Sequence, residues 1–166
     1  MNYYNQETHP DQIFFLNERS EKLLDELQHG LKEVVKRAVA ISDIEIQINH
    51  GKRTLEQHSE FFRKGATPGS TSAHLYGYAV DLMAIIEGKI CFELEVYDEV
   101  ANCMRYAGQD LHTPIRWGGA WHCANICSYD GMIEDIQAGY IDHCVNNSIR
   151  PQLDLQHFEL SLSDNA

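Results

Sequence analysis

The sequence predicts an α+β chain, a small antiparallel sheet with flanking helices. Three observations carry that expectation. Ile44, Ile46 and Ile48 alternate with Glu45, Gln47 and Asn49, the period of a half-buried strand. Leu23, Leu24, Leu27, Leu31, Val34, Val35 and Ala38 recur at helical spacing. Strand-like and helix-like stretches are interspersed, and Glu87-Gly88-Lys89 offers a hairpin turn between two apolar runs, which favours antiparallel pairing.

Taken in order, residues 1–16 are mixed and aromatic and read as an irregular arm or short strand. Asn17 has the side chain of an N-cap, with Glu18 and Glu21 in a first turn that favours acids. One long helix is expected from about residue 18 to 41, with Gly30 as a tolerated weak point. After the Ile44–Ile48 strand, Thr54-Leu55-Glu56-Gln57 is a capping box that starts a short helix, running to about Lys64 and stopping at Gly65. Residues 65–72 are turn-rich. Ala79 to Ile86 reads as a buried strand, paired through the hairpin with Ile90-Cys91-Phe92. A helix over about residues 95–111 would turn Val96, Val100, Cys103, Met104 and Ala107 inward. Pro114–Trp117 is a short strand and Phe158-Glu159-Leu160 the last one. Between them, Met132 to Val145 has an apolar helical rhythm.

Composition bounds the function. A chain of 166 residues with 43% hydrophobic content suits a single domain over 1–166 with a real core. No apolar run is long enough to span a bilayer, so stable membrane insertion is not expected. The formal net charge of −12 repels DNA, RNA and anionic lipid, which argues against a nucleic-acid partner. That charge also disfavours loose adhesion to an anionic cell wall. The first residues carry neither a basic nor an apolar secretory region, so no signal peptide is expected. Five cysteines, an odd number without such a signal, read as reduced thiols rather than a disulfide framework.

Chemistry concentrates in two stretches. His74 and Asp81 lie seven residues apart, and Asp154 precedes His157 by three. Two imidazoles and one carboxylate fill three positions of a tetrahedral zinc and leave the fourth for water, while the other carboxylate remains to accept a proton. Gly77 lets the chain turn sharply between His74 and Asp81, or lets another backbone approach. Neighbouring strands about 4.8 Å apart can bring ligands from distant segments to one ion.

The pattern Ser72-x-His74-x-x-Gly77-x-Ala79-x-Asp81 resembles the zinc peptidases of the D-alanyl-D-alanine carboxypeptidase family, which have a hedgehog-like fold. That group includes VanY- and VanX-type enzymes and the L-alanyl-D-glutamate endopeptidases of tailed-phage endolysins. Further segments follow in the family's order: Gly51–Gln57 with Arg53, Ile115–Trp121 with its Trp-Gly-Gly, and Asp154–Leu160 with its acid-x-x-His strand. The resemblance covers about residues 15–122 and 153–160. It implies His74, Asp81 and His157 as ligands of Zn2+, Asp154 as catalytic acid/base, and Arg53 as a second electrophile contacting substrate. Ser72 is left with two roles, binding substrate or capping its loop. Trp117 and Trp121 likewise fit either a groove wall or an aromatic core. Glu159 is expected to turn away from the site by strand alternation, as a structural residue or as one that supports a ligand from behind.

Asp rather than Glu at position 154 resembles the endopeptidase branch, so the implied substrate is the stem peptide of bacterial peptidoglycan, cut at the L-alanyl–D-glutamyl bond. A D,D-carboxypeptidase or dipeptidase releasing D-alanine is the alternative, and a zinc-stabilised binding module without chemistry is another. A lysin of this type is expected to be a monomer, held in the host cytoplasm until release and acting in the periplasm. Residues 122–152 look like an insertion relative to compact relatives. There, His122, Cys123, Cys127, His143 and Cys144 raise the question of a second, structural zinc, although their spacing is not that of a common tight pair. A helical lid or wall beside the groove is the preferred reading of that segment.

Overall fold

The computed structural model describes residues 11–65 and 72–162. In chain order the elements are α1 (Glu18–Asp25), α2 (His29–Ile41), β1 (Glu45–His50), α3 (Leu55–Arg63), a 3-10 turn at Ala73–Tyr76, β2 (Ala79–Ile86), β3 (Lys89–Cys91), α4 (Leu94–Asp110), β4 (Ile115–Trp117), a 3-10 turn at Ile126–Ser128, α5 (Ile133–Asn146) and β5 (His157–Leu160). The strands form one sheet in the order β1-β2-β5-β4, with β3 also on β2, and every pairing is antiparallel. The expected α+β class is the observed one.

Alternation along the strands sorts the side chains onto two faces. Ile46 and Ile48 of β1, Val80, Leu82 and Ala84 of β2, and Phe158 of β5 are fully buried in the core. Against them pack Leu31, Val34, Val35 and Ala38 of α2 and Val100, Met104 and Ala107 of α4. Trp117 is fully buried and its ring stacks on Phe158, with centroids 6.2 Å apart, so the core role of this residue is the one realised. The opposite face carries Asp81, His157, Glu159 and Arg116, each opposite the next across a strand pair or two positions along a strand.

Local signals hold at several termini. Asn17 accepts a hydrogen bond from the Ser20 amide and caps α1. Thr54 and Gln57 form the reciprocal capping box of α3. β2 spans Ala79–Ile86 as expected, and the hairpin turns at Glu87-Gly88, so β3 starts at Lys89. The 122–152 segment contains α5, whose Ile133, Ile136, Tyr140 and Cys144 join the core. Residues 1–10 and 66–71, which include most of the expected arm and turn-rich loop, lie outside the described residues. Residues 11–16 are irregular and are tied down by Gln47, whose amide accepts from the Asn17 N–H and donates to the Phe15 carbonyl.

The single helix expected over 18–41 is two helices. The break is not at Gly30, which lies in the first turn of α2 against Thr113 and Leu160. It falls at residues 26–28, and its cause is tertiary. The Gln28 amide N–H donates to the Gly77 carbonyl at 2.9 Å instead of closing a helical turn, and the Gln28 side chain donates to the Tyr76 carbonyl at 3.0 Å. The junction of α1 and α2 therefore clamps the turn that follows His74. Gly77 has φ +75°, and a Cβ there would lie 2.8 Å from the Glu26 carbonyl oxygen. Both the left-handed backbone and the close approach exclude a side chain. Gly77→Ala should thus destabilise the protein by roughly 1–3 kcal/mol; an unchanged urea midpoint would contradict this account of the clamp.

Candidate metal centre

Asp81 of β2 and His157 of β5 are direct cross-strand partners on the sheet face away from α2 and α4. The 3-10 turn at Ala73–Tyr76 brings His74 over them. His74 Nε2, Asp81 Oδ1 and His157 Nδ1 form a nearly equilateral triangle, with sides of 3.3, 3.3 and 3.2 Å. Ligands about 2.0–2.1 Å from a tetrahedral zinc stand about 3.3–3.4 Å from one another. The triangle is therefore one face of such a tetrahedron already assembled, and the donor set of two imidazoles and a carboxylate suits zinc. All three residues are buried, at 2%, 8% and 7% exposure respectively. Among the described residues this is the sole group of three or more His, Cys, Asp or Glu close enough to hold an ion. His122 and His143 stack with centroids 6.0 Å apart but gather no third ligand, and the five thiols are free.

Each member of the triangle is oriented from behind. His74 Nδ1 donates to the Gly51 carbonyl at 2.9 Å, which leaves the Nε2 lone pair facing the centre. The Arg53 amide in turn donates to the His74 carbonyl at 2.9 Å, so the 51–53 segment clasps this residue twice. Ser72 caps the same turn by accepting from the His74 amide. On the far side of Asp81, Oδ2 faces His50 Nδ1 at 3.4 Å and Arg53 Nη2 at 3.8 Å. The Arg53 guanidinium also lies over the Phe61 ring, and its buried Nε has no hydrogen-bond partner among the described residues.

Glu159 supports His157 from behind, one of its two expected roles, but the orientation expected for it is corrected. It does not turn away: its Oε2 is 2.9 Å from His157 Nε2. Residues two apart in a strand share a face, so His157 and Glu159 point the same way and Phe158 is the one turned into the core. Arg116 then faces Glu159 from β4, at 3.5 Å. Neither His50 nor Arg116 stands out in the sequence, yet cross-strand pairing from Asp81 and Glu159 finds both.

Asp154 lies outside the triangle but within reach of its charges. The Trp-Gly-Gly segment holds the loop that carries it. The Asp154 amide donates to the Gly118 carbonyl at 2.9 Å, and the Gly118 amide donates to the His157 carbonyl at 2.8 Å. A Cβ on Gly118 would collide with the Asp154 carbonyl oxygen, so only glycine allows this approach. Trp121 is half-buried, donates to the Gln152 carbonyl and lies 5.2 Å from the His157 ring, so it borders the centre. Helix α5 packs on α4 and meets the loop through the Tyr140 hydroxyl, which accepts from the Gln152 amide. In these contacts it is a wall behind the Asp154 loop.

The centre is electrostatically tense. Burial would raise the Asp81 carboxyl, but hydrogen bonds from His157, His50 and His74 outweigh it and hold this group far below the usual carboxylate range. Burial would lower His157, but Asp81 and Glu159 push it up to about 9. Burial, then the Asp81 charge, raises Asp154, while His157, His74 and Arg53 pull the other way. A histidine whose folded pKa exceeds its unfolded value, about 6.5, gives stability that is complete below that value and lost as pH rises through the folded one. Chelator-treated protein should therefore lose roughly 1–3 kcal/mol of unfolding free energy between about pH 6 and 9.5, and His157→Gln should flatten that slope. Zinc competes with the proton, so zinc stabilisation should grow with pH over the same range. Melting curves against pH, with and without zinc, check both signs.

A family model described as phage L-alanyl-D-glutamate peptidase matches residues 12–145, a span that includes His74 and Asp81 and ends before Asp154 and His157. The L-alanyl-D-glutamate peptidase of Escherichia phage T5 is 30% identical over 115 residues, covering 67% of this chain and 84% of that protein. The crystal structure of the Serratia marcescens L-Ala D-Glu endopeptidase ChiX superposes with a TM-score of 0.64 over 90% of this chain and 91% of that one, at 23% identity, a likeness of fold. The chain belongs to the phage L-alanyl-D-glutamate peptidase family.

Proposed function

We propose that this protein is a zinc-dependent peptidoglycan endopeptidase that hydrolyses the bond between L-alanine and D-glutamate in the stem peptide. The observation that carries the reading is the His74–Asp81–His157 triangle in a chain of this peptidase family. These three residues would hold the ion. Bound there, zinc would supply Lewis acidity toward the scissile carbonyl and a water acidified from a pKa of 15.7 to about 7.

The chain's own groups do the rest. Asp154 takes a proton from the attacking water and returns it to the departing D-glutamate nitrogen. Its loop, pinned to Gly118, keeps that carboxylate beside the ligands without joining them. Arg53, whose Nη2 lies 3.8 Å from Asp81 Oδ2, offers a guanidinium suited to the charge that develops on the carbonyl oxygen. Ser72 acts through the turn it caps, keeping His74 in place. Trp121 closes one side of the centre.

Its field of action is the host cell wall, reached from the cytoplasm after release. Among the described residues no helix is long and apolar enough to cross a membrane.

Digestion of purified peptidoglycan, read by mass, tests the bond assignment. Fragments with a new N-terminal D-glutamate are expected; free D-alanine as the sole product would place the enzyme in the carboxypeptidase branch instead. Asp154→Asn should keep zinc and the melting temperature while turnover falls about 10²–10⁴-fold. Unchanged turnover would remove Asp154 from the mechanism. For Arg53→Ala, the expected loss is about 10²–10³-fold in kcat, again with zinc retained.

A further inference from the structure

We propose that Glu159 is a positioning residue that fixes His157 for metal binding through Nδ1, and that Arg116 and Trp121 hold the pair in register. The inference rests on the zinc reading above and adds the residues that set its third ligand.

The two imidazoles present different nitrogens. His74 faces the triangle with Nε2 and His157 with Nδ1. Nδ1 lies next to the ring carbon that bears the side chain, so a ring that binds through it is set by both χ angles and by whatever holds the opposite nitrogen. For His74 that holder is a backbone carbonyl. For His157 it is the Glu159 carboxylate, 2.9 Å from Nε2. A carboxylate accepting the far N–H fixes the tautomer, with the proton on Nε2 and the lone pair on Nδ1, and makes the ring a stronger donor to a metal.

Glu159 is itself held. Arg116 Nη1 lies 3.5 Å from its other oxygen. The same guanidinium sits 5.1 Å from the Trp121 ring centroid, and its Nη2 donates to the Trp121 carbonyl at 2.6 Å. Trp121 then returns to His157, with ring centroids 5.2 Å apart. Arg116, Glu159, His157 and Trp121 thus close a ring of contacts in which each touches two others. The ring spans β4, the segment after it, and β5, so His157 cannot rotate without breaking a contact on either side.

The test is zinc affinity, measured by competition with a chromophoric chelator on metal-free full-length protein. Glu159→Ala should weaken zinc binding about 10–100-fold while the metal-free protein still folds cooperatively. Glu159→Gln should restore most of the affinity, because its amide oxygen still accepts the Nε2 proton. Arg116→Ala should fall between Ala and Gln at position 159. Should Glu159→Ala fail to fold, Glu159→Met keeps the volume, removes the acceptor and is read against Gln in its place. Affinity equal to the parent's in the variant without an acceptor would overturn the proposal, as would a Gln variant as weak as that one. The parent titration separates this from the broader reading. If the parent binds zinc tightly and the acceptor-free variant matches it, only the positioning role fails; if the parent takes up no zinc, the zinc centre and this inference fall together.

Discussion

Pairing of Asp81 with His157 across β2 and β5 is the contact from which the rest of the molecule follows. The two residues are 76 positions apart, and antiparallel register sets them face to face. That register is enforced from the other side of the sheet. Val80 lies opposite Phe158 in the core, and Trp117 meets Phe158 from the far strand. A slip by one residue would turn Val80 toward the face that carries His157 and Asp81 into the apolar layer between sheet and helices. Core packing and site assembly are one constraint, met on opposite faces of the same strands.

The other elements of the site are fastened to that pair by backbone contacts. His74 arrives on a turn clasped between the 51–53 segment and the α1–α2 junction. Asp154 arrives on a loop bonded to Gly118, which is bonded to His157. Both attachments run largely through main-chain amides and carbonyls. The result is a triangle with tetrahedral edge lengths, and an Asp154 loop fastened to the strand that carries His157.

Much of this was legible in the sequence, and the gaps have physical causes. The capping box at Thr54, the N-cap at Asn17 and the strand over Ala79–Ile86 depend on local chemistry, and local chemistry decided them. The meeting of His74, Asp81 and His157 could be anticipated because each sits in a short patterned segment resembling a known family. The break after Asp25 could not, because it comes from a hydrogen bond to Gly77 some fifty residues away, invisible to periodicity in the helix itself. Glu159 was within reach: counting two residues along β5 puts it on the face of His157. Arg116 needed the pairing of β4 with β5 as well, which no local pattern announces.

The central claim is that His74, Asp81 and His157 grip one divalent ion with a corner left for chemistry. X-ray absorption at the zinc edge, on protein loaded with a single equivalent, addresses it most directly. The account predicts a first shell of light atoms alone, two imidazole nitrogens with carboxylate and solvent oxygens at about 2.0–2.2 Å, lost in Asp81→Ala and His157→Ala. A shell containing sulfur at about 2.3 Å, or one unchanged by either substitution, would place the metal elsewhere and contradict it.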